Sequence, residues 1–143
     1  MSEVKLIKFE IVTPEHVVLK EQVSRVTVPA VDGEITVLAG HVPLISVLKA
    51  GVIEITLANG QLDVLAVSGG FIEVLVDKVV ILADTAEIAR ELNEERIQIA
   101  RAKAEELKKG VKFGQADFAE APAALEKELA RSRAVRRWKR LRK

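Results

Sequence analysis

The chain has 143 residues, 49% hydrophobic and 3% aromatic, with a formal net charge of +1. It lacks cysteine and has two histidines, His16 and His41, which excludes disulfides, thiolate metal sites and a cysteine nucleophile and leaves too few ligands for a His-based zinc centre. No apolar run reaches the roughly 18–20 residues needed to cross a bilayer, and the first residues do not follow the pattern of a secretory leader, so a soluble, intracellular protein is expected.

The near-zero charge conceals a division. Residues 1–90 carry 7 Lys/Arg and 12 Asp/Glu, whereas residues 91–143 carry 15 and 9, so the first part is net −5 and the second net +6. The first part is Val, Ile and Leu in strand-like alternation broken by Gly and Pro; the second is mostly Ala, Glu, Lys and Arg. Two units are expected: an antiparallel β-sandwich over 1–86 and a two-helix antiparallel hairpin over 87–143, an α+β chain with its elements segregated in sequence.

In chain order, residues 5–12 read as a strand ended by Thr13-Pro14. Strands are expected at 16–20 and 23–28, the latter with Val23, Arg25 and Thr27 on one face and Ser24, Val26 and Val28 on the other. Asp32-Gly33 marks a turn, 35–38 and 44–48 are short apolar runs, and Gly40-His41-Val42-Pro43 separates them. Residues 52–57 alternate cleanly into Asn59-Gly60, the strongest hairpin signal in the chain, which predicts a type I′ turn. Strands at 61–67, 71–76 and 78–82 complete the set. From residue 91 the period becomes helical. Asn93 is the expected N-cap, Ile97, Ala100, Ala104 and Leu107 form one stripe, and Gly110 ends the helix. After a connector at 110–116, a second helix should start near 119–121, with Ala121, Ala124, Leu125, Leu129 and Val135 as its apolar stripe and with Trp138 and Leu141 off that face.

No constellation suggests catalysis. Ser24, Ser46, Ser68 and Ser132 lack a nucleophile-elbow setting, and there is no glycine-rich phosphate loop ending in Lys-Ser/Thr. Glu54, Asp63 and Glu73 are expected to face water. The most distinctive chemistry is the C-terminus, where Arg131, Arg133, Arg136, Arg137, Lys139, Arg140, Arg142 and Lys143 follow one another without an acid. Such a helix suits an acidic protein surface, because guanidinium pairs bidentately with carboxylate; the plain alternative is a solvated helix end, and a third reading is a free-standing module whose basic helix grips nucleic acid or an anionic membrane. A nucleic-acid partner is not expected, since Trp138 is the only stacking platform in the helices and surface aromatics are not expected on the sheet.

Residues 28–44, with Gly33-Glu34 and Gly40-His41-Val42-Pro43-Leu44, together with Val67-Ser68-Gly69-Gly70-Phe71-Ile72-Glu73-Val74 and Val79-Val80-Ile81-Leu82-Ala83-Asp84-Thr85-Ala86-Glu87, resemble the epsilon subunit of bacterial F-type, proton-translocating rotary ATP synthases. The resemblance extends over essentially the whole chain and implies a β-sandwich followed by a helical hairpin. It implies a non-catalytic subunit of the central stalk, on the cytoplasmic face of the cell inner membrane and attached to it only through the complex. The implied partners are the gamma subunit, the c-subunit ring and, when the hairpin extends, the alpha and beta catalytic subunits. Glu34, Gly40, His41, Val42, Pro43 and Leu44 become the expected c-ring contact, and Arg131, Arg133, Arg136 and Arg137 the expected inhibitory contacts. Hairpins of this family that bind ATP carry Ile-Asp-x-x-Arg-Ala. Here Leu92-Asn93-Glu94-Glu95-Arg96-Ile97 keeps only the arginine, so Arg96 is the one candidate nucleotide contact and no cofactor is expected. Extended end to end, some 50 helical residues would reach roughly 75 Å.

Overall fold

The computed structural model describes residues 5–110 and 120–142, with side chains described for 5–106 and 123–141. The expected connector and the side chains of Leu107 and Ala121 lie outside the described residues.

Nine strands form two layers joined by one long strand. β2 (Val17–Ala30) pairs through its first half with β1 (Ile7–Val12), antiparallel from Ile7↔Val23 to Val12↔Val17. Its second half pairs with β3 (Gly33–Leu38) and β5 (Gly51–Leu57). The first layer continues from β1 to its parallel neighbour β8 (Lys78–Ala83), then β7 (Gly70–Val74) and β4 (Leu44–Leu48). The single pair Ala30↔Leu48 brings β4 back to β2. In the second layer, β6 (Leu62–Val67) follows β5 and carries β9 (Ala86–Ile88). Phe9, Ile11, Val23, Val26, Val28, Ile53, Ile55, Leu65, Ile72 and Ile81 are fully buried between the layers. Each large aliphatic side chain removed from water contributes roughly 1.5–3 kcal/mol, so this core supplies most of the stability.

Four details differ from expectation. The two strands expected at 16–20 and 23–28 are one, because pairing on both partners carries β2 through the polar stretch Glu21-Gln22. Its register shifts between Val23 and Arg25 where it faces β5, leaving Ser24 as an extra residue. That bulge lets Val23 join Val26 and Val28 in the core while Arg25 points out. At the β5–β6 turn, Gly60 has φ +87° and, among the described residues, no non-glycine residue has positive φ, so the turn is not type I′. Instead the Gly60 N–H donates to Leu57 O at 2.9 Å and the Leu57 N–H to Gln61 O at 2.7 Å, a longer loop closed by a left-handed glycine. Finally, β9 crosses the expected boundary at residue 86, and a 3-10 turn, Ala89–Glu91, follows it.

Helix α1 (Glu94–Gly110) starts as expected: the Arg96 N–H donates to Asn93 Oδ1 at 3.1 Å, and Ile97 and Ala104 are buried. Helix α2 (Glu120–Arg142) buries Val135 of the expected stripe, near Ile97 of α1, but meets the sheet through a different face. Ala134 is fully buried on Val64, Ala66 and Ala89, and Trp138 and Leu141 pack on the same cluster together with Val52 and Leu92. Ala134, Trp138 and Leu141 stand at i, i+4 and i+7, one stripe, while Ala124 is exposed. Three of the four buried members of this second core are Ala, each methyl worth about 0.8 kcal/mol, and its larger members Val52, Leu92, Trp138 and Leu141 are only partly buried. Glu128 Oε2 and Ser132 Oγ are buried without a partner among the described residues, a further cost to the hairpin of about 1–3 kcal/mol each where water does not reach them. The hairpin is thus held more weakly than the sandwich.

Candidate functional site

The structure places the candidate residues on three surfaces. The first is the loop between β3 and β4. Gly40, at φ +83°, donates its N–H to Val76 O at 3.0 Å, which ties the loop to the β7–β8 turn. The His41 N–H donates to Leu38 O at 3.2 Å, and the His41 ring Nδ1 lies 2.7 Å from Val42 O. Val42 is 71% exposed and Pro43 is also exposed, so an apolar tip projects into solvent. Leu44 opens β4 and is half-buried. Glu34 does not join this loop. It pairs with Pro29 at the other end of β3, about 20 Å away at roughly 3.3 Å per residue.

The second surface escaped the sequence analysis. On the outer face of the first layer, Val47 stands opposite Phe71, Phe71 opposite Leu82, Leu82 opposite Val12, and Val12 opposite Val17. Val47, Phe71, Leu82 and Val17 are each close to half exposed, and Ile45 beside them is 73% exposed. Five strands thus contribute one apolar row to the surface. Phe71 also corrects the expectation that the sheet carries no surface aromatic ring. Nothing in single-strand patterning marks the row, because each strand supplies one residue of it and only the register aligns them.

The third surface is the face of the second layer covered by α2. Arg131 donates to Glu87 Oε1, with Nε at 2.7 Å, and also pairs with Glu128; Arg137 pairs with Glu54. Lys139 Nζ meets Glu94 Oε2 at 2.6 Å and so links α2 to α1. Beside these pairs, Arg133, Arg136, Arg137 and Arg140 line an open cleft of about 570 Å³, whose sandwich wall includes Thr27, Glu34, Val52 and Glu54. Of the expected inhibitory arginines, Arg131 and Arg137 are therefore engaged with the sandwich, and Arg133 and Arg136 face the cleft. Arg96 is exposed on α1 and does not line it.

Two acids expected to face water do not. Glu54 is half-buried under Arg137. Asp63 is 3% exposed; its Oδ1 accepts the Val64 N–H at 3.0 Å, and Arg90 pairs with Oδ2. The pairing follows from register: Leu65↔Ile88 in the β6–β9 ladder puts residue 90 opposite residue 63. Glu73 alone of the three is exposed. Among the described residues no group of three or more His, Asp or Glu is placed to hold a metal ion, and no helix is long and apolar enough to cross a membrane.

The molecule is thus a β-sandwich with an apolar row on one layer and a basic helical arm folded over the other. The comparisons with known proteins specify the class. Residues 6–89 match the family described as ATP synthase, delta/epsilon chain, beta-sandwich domain. The chain is 43% identical over 127 residues to the ATP synthase epsilon chain of Chloroflexus aggregans, covering 89% of this chain and 90% of that one. It is 38% identical over 138 residues to ATP synthase epsilon chain 2 of Ralstonia nicotianae, covering 96% and 99%. In structure it is similar to a chain of the Euglena gracilis mitochondrial ATP synthase, OSCP/F1/c-ring, with a TM-score of 0.78 and 26% identity, covering 94% of this chain and 84% of that chain. The chain belongs to the ATP synthase epsilon chain family, whose members are non-catalytic subunits of the ATP synthase complex. The resemblance in residues 28–44, 67–74 and 79–87 thus led to the right family and the right fold.

Proposed function

We propose that the chain is a rotor subunit in the central stalk of a rotary F-type ATP synthase. It couples proton translocation to ATP synthesis through contacts with the gamma subunit and the c ring, and its hairpin restrains ATP hydrolysis. It sits on the cytoplasmic face of the inner membrane as a peripheral component, held there by the complex. The observation that carries this reading is the apolar row Val47, Phe71, Leu82, Val12 and Val17, since a patch shared by five strands is a recognisable docking surface. The gamma subunit is its proposed occupant. The loop Gly40, His41, Val42, Pro43 and Leu44, with Glu34 as a second point at the far end of β3, is the proposed c-ring contact. Arg131, Arg133, Arg136 and Arg137 are the proposed contacts of the extended hairpin with the alpha and beta subunits. Arg96 is left without a nucleotide role, and no cofactor is invoked.

Two measurements test this reading. Phe71→Glu places a charge in the middle of the row at a position the fold leaves exposed. Copurification with gamma from gently solubilised membranes should fall at least ten-fold, about 1.4 kcal/mol or more. Retention of gamma at the parental level would remove the row from the interface. Deletion of residues 91–143 should leave a folded sandwich and raise ATP hydrolysis by the assembled enzyme, whereas unchanged hydrolysis would rule out restraint by the hairpin.

A further inference from the structure

On the outer face of the first layer, register sets the side chains out in rows that cross five strands. Next to the apolar row runs a second one, Lys20, Glu10, Val80, Glu73 and Ile45. Glu73 alternates with the buried Ile72 and Val74, and it is exposed. Its neighbours on the adjacent strands are Ile45 and Val80, and along its own strand Phe71 and Leu75. All four are apolar, and Ile45, Phe71 and Leu75 are themselves exposed. Glu73 makes no ion pair among the described residues; Lys78, diagonal to it on β8, lies 3.8 Å from Glu10 instead. The far flank of the face has the opposite sign, since Lys8, Lys20 and Lys78 outnumber Glu10 on the outward positions of β1, β2 and β8. Three strand spacings, about 14 Å, separate Glu73 from Lys20.

A partner that covers Phe71 and Ile45 also covers Glu73, which stands beside both. An ionised carboxylate taken out of water without a countercharge is costly, and apolar surroundings strengthen its attraction to any cation brought against it. We propose that Glu73 is the charged anchor of this docking face: the partner seated on the apolar row carries a basic side chain that pairs with Glu73, and acidic side chains that lie over Lys8 and Lys20. The proposal rests on the reading that gamma occupies the row. It fixes how gamma is turned on the sheet, because the reversed orientation would set like charges against each other at both flanks.

The test measures binding of the full chain to a gamma-containing F1 particle stripped of its epsilon chain, at about 0.05 and about 0.5 M NaCl. Glu73→Gln keeps the size of the side chain at an exposed site and should leave the melting temperature of the free chain unchanged. Binding should weaken about 10-fold at low salt and by less at high salt. Glu73→Lys, which sets like charges together, should weaken it at least about 100-fold at low salt. Glu73→Lys combined with Lys20→Glu restores the net charge of the chain but reverses the polarity of the face, and should bind no better than Glu73→Lys alone.

Parental affinity in Glu73→Gln overturns the proposal, and so does a loss that is the same at both salt concentrations, which would be a matter of shape rather than charge. Recovery of parental binding by the double variant also overturns it, since net charge would then steer the contact and polarity would not. The anchor and the row fail separately. If Phe71→Glu loses gamma while Glu73→Gln binds as the parent does, the row stands and the anchor alone is refuted. If Phe71→Glu retains gamma at the parental level, the row is not the interface and the anchor falls with it.

Discussion

Gly70 adopts φ +139°, and a Cβ there would run into the Leu82 carbonyl oxygen and the Ala83 Cα of the neighbouring strand. The Ser-Gly-Gly-Phe segment is thus a packing requirement of the β7–β8 pair, beyond the break in alternation visible in the sequence. Gly70→Ala should destabilise the sandwich by at least about 1–3 kcal/mol, the usual cost of a strained backbone position, and chemical denaturation would measure it. Glu54, Asp63 and Glu73 show the limit of reading residues singly. All three look like members of a water-facing strand row, yet only Glu73 is one. What distinguishes Asp63 is a partner 27 positions away in sequence, Arg90, and what distinguishes Glu54 is a helix 83 positions away. No local pattern encodes either contact.

At the level of elements, legibility followed the strength of alternation. The strands of the sandwich alternate Val, Ile and Leu with polar residues, and their approximate positions could be read from that. The sequence of β2 reads as two strands because Glu21-Gln22 interrupts the apolar run and the bulge at Ser24 shifts its phase. β9 is three residues long and offers too little pattern. α2 follows its expected span and buries Val135 of its expected stripe, but the face that meets the sheet is another, since basic and Ala positions distributed around a helix carry little periodic signal. The face is chosen by the sheet, which presents Val64 and Ala66 to it. The loop at 40–44 was legible from Gly, Pro and His, whereas the separation of Glu34 from it and the apolar row both needed the register. The tightness at Ala134, which is 0% exposed, gives a prediction at this scale. Ala134→Leu should overpack the contact, at a cost of about 1–3 kcal/mol, and lift α2 from the sheet. Trp138 emission should shift to the red while amide protection within β1, β8 and β7 remains unchanged; coordinated loss of protection in those strands would show that hairpin and sandwich form one cooperative unit.

For the whole molecule, two cores of unequal strength sit on the two faces of one sheet. The inner core is aliphatic and insensitive to salt. The outer contact combines a few methyls with ion pairs that salt screens. Raising NaCl from 0.05 to about 1 M should therefore speed hydrogen exchange in α2 several-fold and leave unaffected the strands β1 and β5, which supply Phe9, Ile11, Ile53 and Ile55 to the inner core. Equal acceleration in both would contradict this division. The route of β2 has a mechanical corollary. Because this one strand runs through both layers and β4 returns to it at Ala30↔Leu48, a twist applied to one layer reaches the other through covalent backbone rather than by side chains sliding past one another. The sandwich should respond to torque as a stiff solid body, and compliance would be confined to the arm.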